Sequence, residues 1–112
     1  MDIEKRALLQ DIMNAIEEIE SFFAGKPKIF SEFQTDIKTR RAVERDLEII
    51  GEAISKLLKI DPLLPVSNAK KIIGTRNRII HGYDNVSSEM IWSIVVNHLP
   101  VLKIEVAALT IS

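Results

Sequence analysis

Apolar residues recur every three to four positions along most of this chain, the spacing that gathers them on one side of an α-helix. From about Asp2 to Phe23, residues Leu8, Ile12, Ala15, Ile16, Ile19, Phe22 and Phe23 share a stripe, with Asn14, Glu17 and Glu18 opposite. Gly25 and Pro27 end this first helix. The stretch Lys28 to Asp36 reads either as a short helix or as a loop whose Phe30 and Phe33 dock on the core. A second long helix covers roughly Ile37 to Leu58, with Val43, Leu47, Ile50, Ala53, Ile54 and Leu57 inward. Gly51 inside it costs about 1 kcal/mol relative to Ala, so a close helix crossing is expected there. Asp61, Pro62 and Pro65 mark a connector. A third helix runs from about Asn68 to His81 and stops at Gly82; Ser87 or Ser88 caps a last one beginning near Glu89. Pro100 is expected to kink or break that last helix. No segment alternates like a strand. The pattern predicts an all-α, up-and-down bundle of four main helices in a single domain, residues 1–112.

The 112 residues suffice for one domain and not two. A net charge of −1 exerts no global pull on nucleic acid or anionic membrane, so any RNA contact needs a local patch. The absence of cysteine removes disulfides, thiolate metal sites and cysteine nucleophiles and fits a cytoplasmic location. The charged N-terminal stretch lacks a signal peptide's apolar core, and no stretch reads as the ~20 consecutive apolar residues of a membrane span.

The chemistry concentrates in Gly74 to Tyr83 (GTRNRIIHGY). On a helical wheel Ala69, Ile72, Ile73, Ile79 and Ile80 fall in one arc with Arg76 near its middle. A guanidinium there needs a receiver, because an unpaired buried charge costs several kcal/mol. The receiver is an internal carboxylate, with Asp46 as candidate, or a subunit interface, or a phosphate-bearing ligand. His81 follows ~7.5 Å further along the axis and rotated by ~140°. Within one chain the two side chains diverge; two copies meeting across a two-fold axis would bring both pairs into one cleft. An imidazole can move protons near neutral pH, and RNA supplies its own nucleophile, so His81 and Arg76 suit metal-free cleavage. His81 also reads as a helix-end residue bonded to a carbonyl. Tyr83, the single tyrosine, is either a packed loop aromatic or an exposed hydroxyl. Lys70, Lys71, Arg76 and Arg78 carry four positive charges between Asn68 and Tyr83 with no acid among them, a patch for a polyanion or a solvated face. His81 and His98 lack metal-ligand spacing, no Gly-rich phosphate loop is visible, and Asp84 reads as a turn residue. Neither a metal nor a cofactor is expected.

The Arg76-x4-His81-x-Tyr83 pattern resembles the motif of HepT-like toxins of the HEPN superfamily. Arg41 to Ala53 (RAVERDLEIIGEA) is similar to the family's second-helix signature, and Lys71 to Tyr83 to its motif helix. Ile91-Trp92 with Leu99-Pro100 and Leu102-Lys103 resembles its last helix. The resemblance implies a homodimer whose Arg76 and His81 residues line a shared cleft and cut RNA without metal. It further implies a toxin–antitoxin pair with an MntA-like minimal nucleotidyltransferase that silences the toxin by transferring AMP to Tyr83, and possible higher assembly with that partner. Asn77 matches the family's Arg-Asn pair and is expected to orient the site, with Arg78, Lys70 and Lys71 in support. Asp46 departs from the small or amide residue common in relatives. The alternative is a non-catalytic HEPN module that binds a nucleotidyltransferase and RNA or nucleotide.

Overall fold

Three of the helices begin where a short polar side chain takes up an orphan amide. In the computed structural model, which describes residues 2–82 and 87–111, the Asp2 carboxylate accepts from the Glu4 N–H and opens α1 (Ile3–Phe22). Asp36 accepts from the Thr39 N–H and hydroxyl and opens α3 (Ile37–Ile60). The Ser87 hydroxyl accepts from the Met90 N–H at the start of α5 (Ser88–Ser93). Between α1 and α3 the ambiguous stretch resolves as a short helix, α2 (Phe30–Thr35), which buries Phe33. The connector leads to α4 (Ala69–Ile80), and a π-helical turn, Ile94–His98, joins α5 to α6 (Leu99–Ile111). Among the described residues all regular structure is helical.

The core follows the expected stripes in the main, with Leu9 fully buried in addition and Phe22 and Phe23 half-buried. Leu8, Ile12, Ala15, Ile16 and Ile19 of α1 are buried against Val43, Leu47, Ile50, Ala53, Ile54 and Leu57 of α3. α3 is the central element, with α1 on one side and α4 on the other. Phe23, Phe30 and Phe33 gather around Trp92 with ring centroids 5.0–6.0 Å from it, so α2 clamps α5 to the rest of the fold. Polar ties hold the periphery: Lys5 to Asp61, Lys103 to Glu20, and the Glu105 carboxylate accepting from the Ser67 N–H and hydroxyl ahead of α4.

Pro100 does not end the last helix, although a π-turn interrupts the α-helical register just ahead of it. The Leu99 N–H reaches back five residues to the Ile94 carbonyl, and Pro100 then lies in the first turn of α6, where a missing N–H costs least. The segment Ser88–Ile111 is also long and apolar enough to cross a membrane by length and composition, contrary to expectation. Asn97, His98, Lys103 and Glu105 interrupt the apolar run, which hides it from a search for consecutive apolar residues. In this fold the helix buries Ile91, Ile94, Val95, Leu99, Leu102 and Val106 in the core.

Asp46 is buried within the α3 stripe at 3% exposure, and its Oδ2 has no hydrogen-bond partner among the described residues. Burial, reinforced by a hydrogen bond to Glu18 of α1 and the charge there, pushes its carboxyl up to about 7. A carboxyl with a raised folded-state value binds its proton more tightly folded than unfolded. Its stabilising contribution is complete below the ordinary value of 3.8 and disappears as pH rises through about 7. Asp46→Asn, which needs no proton, should therefore flatten the stability profile between pH 4 and 7. It should be more stable than wild type at pH 8 by about 1–3 kcal/mol, the cost of an ill-satisfied buried group. Urea melts at pH 5 and pH 8 check this; a gap between the two proteins that does not grow with pH refutes it.

Candidate active site

α4 carries the candidate chemistry, and its packing against α3 decides where each side chain goes. Gly51 is the contact point. A Cβ built on Gly51 would lie 2.5 Å from Cβ and 2.8 Å from Cγ of Arg76, so the bare backbone of α3 is what admits the Arg76 stem. The expected close crossing at Gly51 is thus found, and Arg76 is the residue that uses it.

The Arg76 guanidinium is held at both amino groups. Its Nη2 donates to Glu52 Oε2, forming an ion pair across the α3–α4 contact, and its Nη1 donates to Asn77 Oδ1 at 2.7 Å. Its Nε is buried with no partner among the described residues. The side chain retains 25% of its exposure, so the group is accessible at one edge. Asp46 is not its receiver. Five residues separate Asp46 from Gly51, which places them ~140° apart around α3; Asp46 turns toward Glu18 on α1 while Gly51 faces α4. The wheel places Asp46 in the stripe correctly but does not tell which neighbour each edge of the stripe meets.

The same packing revises the α4 arc. Ile72 and Thr75 are buried, Ile73 and Ile79 half-buried, and Ile80 is 46% exposed. The Thr75 hydroxyl donates to the Lys71 carbonyl, so a threonine takes a place in the packed face that apolarity alone would not assign. His81 stands exposed at the end of α4, with its N–H donating to the Asn77 carbonyl. Gly82 follows at φ +65°, the left-handed conformation that ends helices at glycine. Tyr83 and Asp84 lie outside the described residues.

Lys70, Lys71 and Arg78 turn away from Arg76. α4 stands off from α5, and the three cations line a groove of about 510 Å³ between α4 and the α5–π-turn segment. Gly74, Thr75, Glu89, Met90, Ser93, Ile94 and His98 complete its lining. The structure therefore divides the predicted residues into two groups: Arg76 with Asn77 on the α3 side, and Lys70, Lys71 and Arg78 in the groove. Glu52 and His98 were not foreseen. Glu52 adjoins the crossing glycine, which is the one sequence signal that could have drawn attention to it. Among the described residues no group of three or more His, Asp or Glu side chains is placed to hold a metal ion.

A family model described as Ribonuclease HepT-like matches residues 12–109. The chain belongs to the HepT-like ribonuclease family. A relative from Methanocaldococcus jannaschii, named "Putative RNase MJ0127", is 36% identical over 99 residues, covering 85% of this chain and 78% of its own. A Thermococcus cleftensis protein named "Probable ribonuclease HepT" is 36% identical over 99 residues, covering 85% and 86%. Another M. jannaschii chain, "Putative RNase MJ1380", is 35% identical over 103 residues, covering 90% and 92%. No solved structure gives a significant match. The matched span of this HepT-like chain contains the whole of α4 and both of its side-chain groups.

Proposed function

We propose that this chain is a metal-independent endoribonuclease toxin: a single HEPN domain, four main helices in a bundle, acting as a homodimer in the cytoplasm. The observation that carries the reading is Arg76, set over Gly51 and clasped by Asn77 and Glu52 within a chain of the HepT-like ribonuclease family. A guanidinium held this way presents fixed N–H groups to phosphate with little ordering cost.

The chemistry needs no group beyond the RNA and the protein. The 2′-hydroxyl loses its proton to an imidazole and its oxygen bonds to the adjacent phosphorus. The P–O5′ bond breaks, and a protonated imidazole supplies the proton for the leaving oxygen. The products are a 2′,3′-cyclic phosphate and a 5′-hydroxyl. His81 moves the protons, with the partner copy's imidazole available as the second group, and Arg76 neutralises charge building on the phosphorane. Lys70, Lys71 and Arg78 attract the strand. Because Arg76 and His81 leave α4 ~140° apart, a complete site calls for two copies. Purified protein should cut single-stranded RNA in EDTA, leave cyclic phosphate ends, and sediment at twice the 12.7 kDa chain mass. Loss of cutting on chelation, or an active monomer, contradicts the reading.

Glu52 favours one rival. With its guanidinium already paired, Arg76 serves equally as a structural strut in a non-catalytic HEPN module that binds a nucleotidyltransferase and RNA or nucleotide. Cleavage by the purified protein decides between them.

Regulation, on the family resemblance, is by an MntA-like nucleotidyltransferase antitoxin that transfers AMP to Tyr83, with higher assembly open to the pair. The added phosphate carries a charge of about −1 and competes with RNA phosphate for nearby cations. After incubation with partner and ATP, wild type should gain units of ~329 Da per AMP and Tyr83→Phe none. Equal labelling of both removes Tyr83 as acceptor.

A further inference from the structure

The groove between α4 and the α5–π-turn segment has no part in the cleavage step, and its construction points to a ligand. One wall of its rim is cationic, with Lys70, Lys71 and Arg78; His98 stands on the other, and Glu89 is the one acid among the described lining residues. Its floor is apolar, with Arg78 Nη1 reaching across to 3.8 Å from Met90 Sδ. Met90 and Ile94 line it, and a Cβ placed on Gly74 would meet nothing within 4 Å. A volume of about 510 Å³ is in the range of small-molecule sites. A nucleotide divides its polarity in the same way, with a flat base to lie over methionine and isoleucine and a phosphate for the rim.

The π-turn is what brings His98 here. In an uninterrupted α-helix His98, seven residues after Ile91, would return to within ~20° of it and face the core, where Ile91 is 1% exposed. The extra residue in the wide turn hands that position to Leu99, which is 3% exposed, and leaves His98 half-buried on the groove wall. π-turns inside α-helices recur at functional sites. At the other end, Arg78 precedes His81 by three residues, ~4.5 Å along the axis and ~60° around it, so the groove opens toward the candidate proton-transfer group.

We infer that this groove is a binding subsite for nucleotides of single-stranded RNA flanking the cleaved bond, with His98 and Ser93 touching the strand and Gly74 leaving room for the base. The inference rests on the ribonuclease reading for its placement beside His81, and its test separates the two. Binding is measured by fluorescence anisotropy with a labelled, uncleavable 2′-O-methyl single-stranded RNA; cleavage is measured separately on a dinucleotide and on a longer RNA. Gly74→Ala adds a methyl in open space, should fold as wild type, and should weaken binding less than a larger side chain at the same position. Gly74→Leu fills the floor without offering an aromatic face and should weaken binding about tenfold or more, the scale of one lost base contact, with its cleavage penalty confined to the longer RNA. His98→Ala should weaken binding in the same direction. In Lys70→Ala/Lys71→Ala the slope of log K against log salt should fall by ~0.7 for each phosphate that the two ammonium groups neutralise in wild type. The subsite is refuted if Gly74→Leu, folded by circular dichroism, binds the long RNA as wild type does, or if dinucleotide cleavage falls equally. It is also refuted if the lysine pair leaves the salt slope unchanged. If wild type binds through the groove but cuts neither substrate, the ribonuclease reading fails and the groove stands.

Discussion

His81→Ala is expected to lower RNA cleavage by about 10²–10⁴-fold, the range for removal of a general acid–base group, with the fold intact. The fold survives because the side chain is exposed at the end of α4, and the helix stop belongs to Gly82 and the backbone bond to Asn77. Arg76→Ala is expected to cost cleavage about 10²–10³-fold, as when one transition-state donor is removed. It carries a second consequence. The Arg76 stem fills the space over Gly51, so its removal opens a gap at the α3–α4 crossing and costs on the order of 1 kcal/mol of stability through poorer packing. Glu52 is 44% exposed and keeps Lys56 Nζ 3.8 Å from its Oε1, so losing Arg76 leaves it solvated and still paired. Arg76→Lys separates charge from geometry. It keeps a cation near Glu52 but cannot clasp Glu52 and Asn77 together in a planar fork, and it should recover stability better than activity. Single-turnover cleavage and urea melts on the same samples decide the matter. Full activity in His81→Ala would reduce that residue to a helix terminus.

Gly51→Ala is expected to destabilise the protein even though alanine is the better helix former by about 1 kcal/mol. The added Cβ would sit 2.5 Å from Arg76 Cβ. That atom is the root of the side chain, fixed to the α4 backbone, so no rotamer change relieves the clash and the two helices must move apart. Overpacking of this kind costs about 1–3 kcal/mol, more than the propensity gain. Thermal melting should show a lower Tm. Cleavage should fall as well, because the shift displaces Arg76 from Glu52 and Asn77. A rise in Tm would mean that α3 and α4 have slack at the crossing.

Much of this was legible from periodicity. Burial of one face repeats along α1 and α3, so Leu8 to Ile19 and Val43 to Leu57 could be assigned inward without knowing any partner. The glycine at 51 announced a crossing because it violates helix propensity for no local reason. What periodicity cannot carry is direction. Asp46 and Gly51 share a stripe wide enough to meet two helices, and the wheel does not say that α1 takes one edge and α4 the other. Ile80 reads as inward beside Arg76, but α4 presents Ile72 and Thr75 to the fold instead. His98 lacks metal spacing and carries no other signal in the sequence. Its placement depends on a change of helical register at the π-turn, ahead of Pro100, that the one-letter string does not display. The two-copy site rests on the divergence of Arg76 and His81 along α4 together with the resemblance, since it concerns a second chain, and the acceptor role of Tyr83 rests on the resemblance, for a residue outside those described.

The π-turn keeps both halves of Ser88–Ile111 on one interior. α6 is seated in the core by Leu99, Leu102 and Val106, α5 by Ile91 and by Trp92 among the phenylalanines, and the turn itself by Ile94 and Val95. One wall of the groove is therefore fixed to the core along its length, while the opposite wall, α4, is pinned through Arg76 to α3, so the width of the groove is set by the packing of the interior.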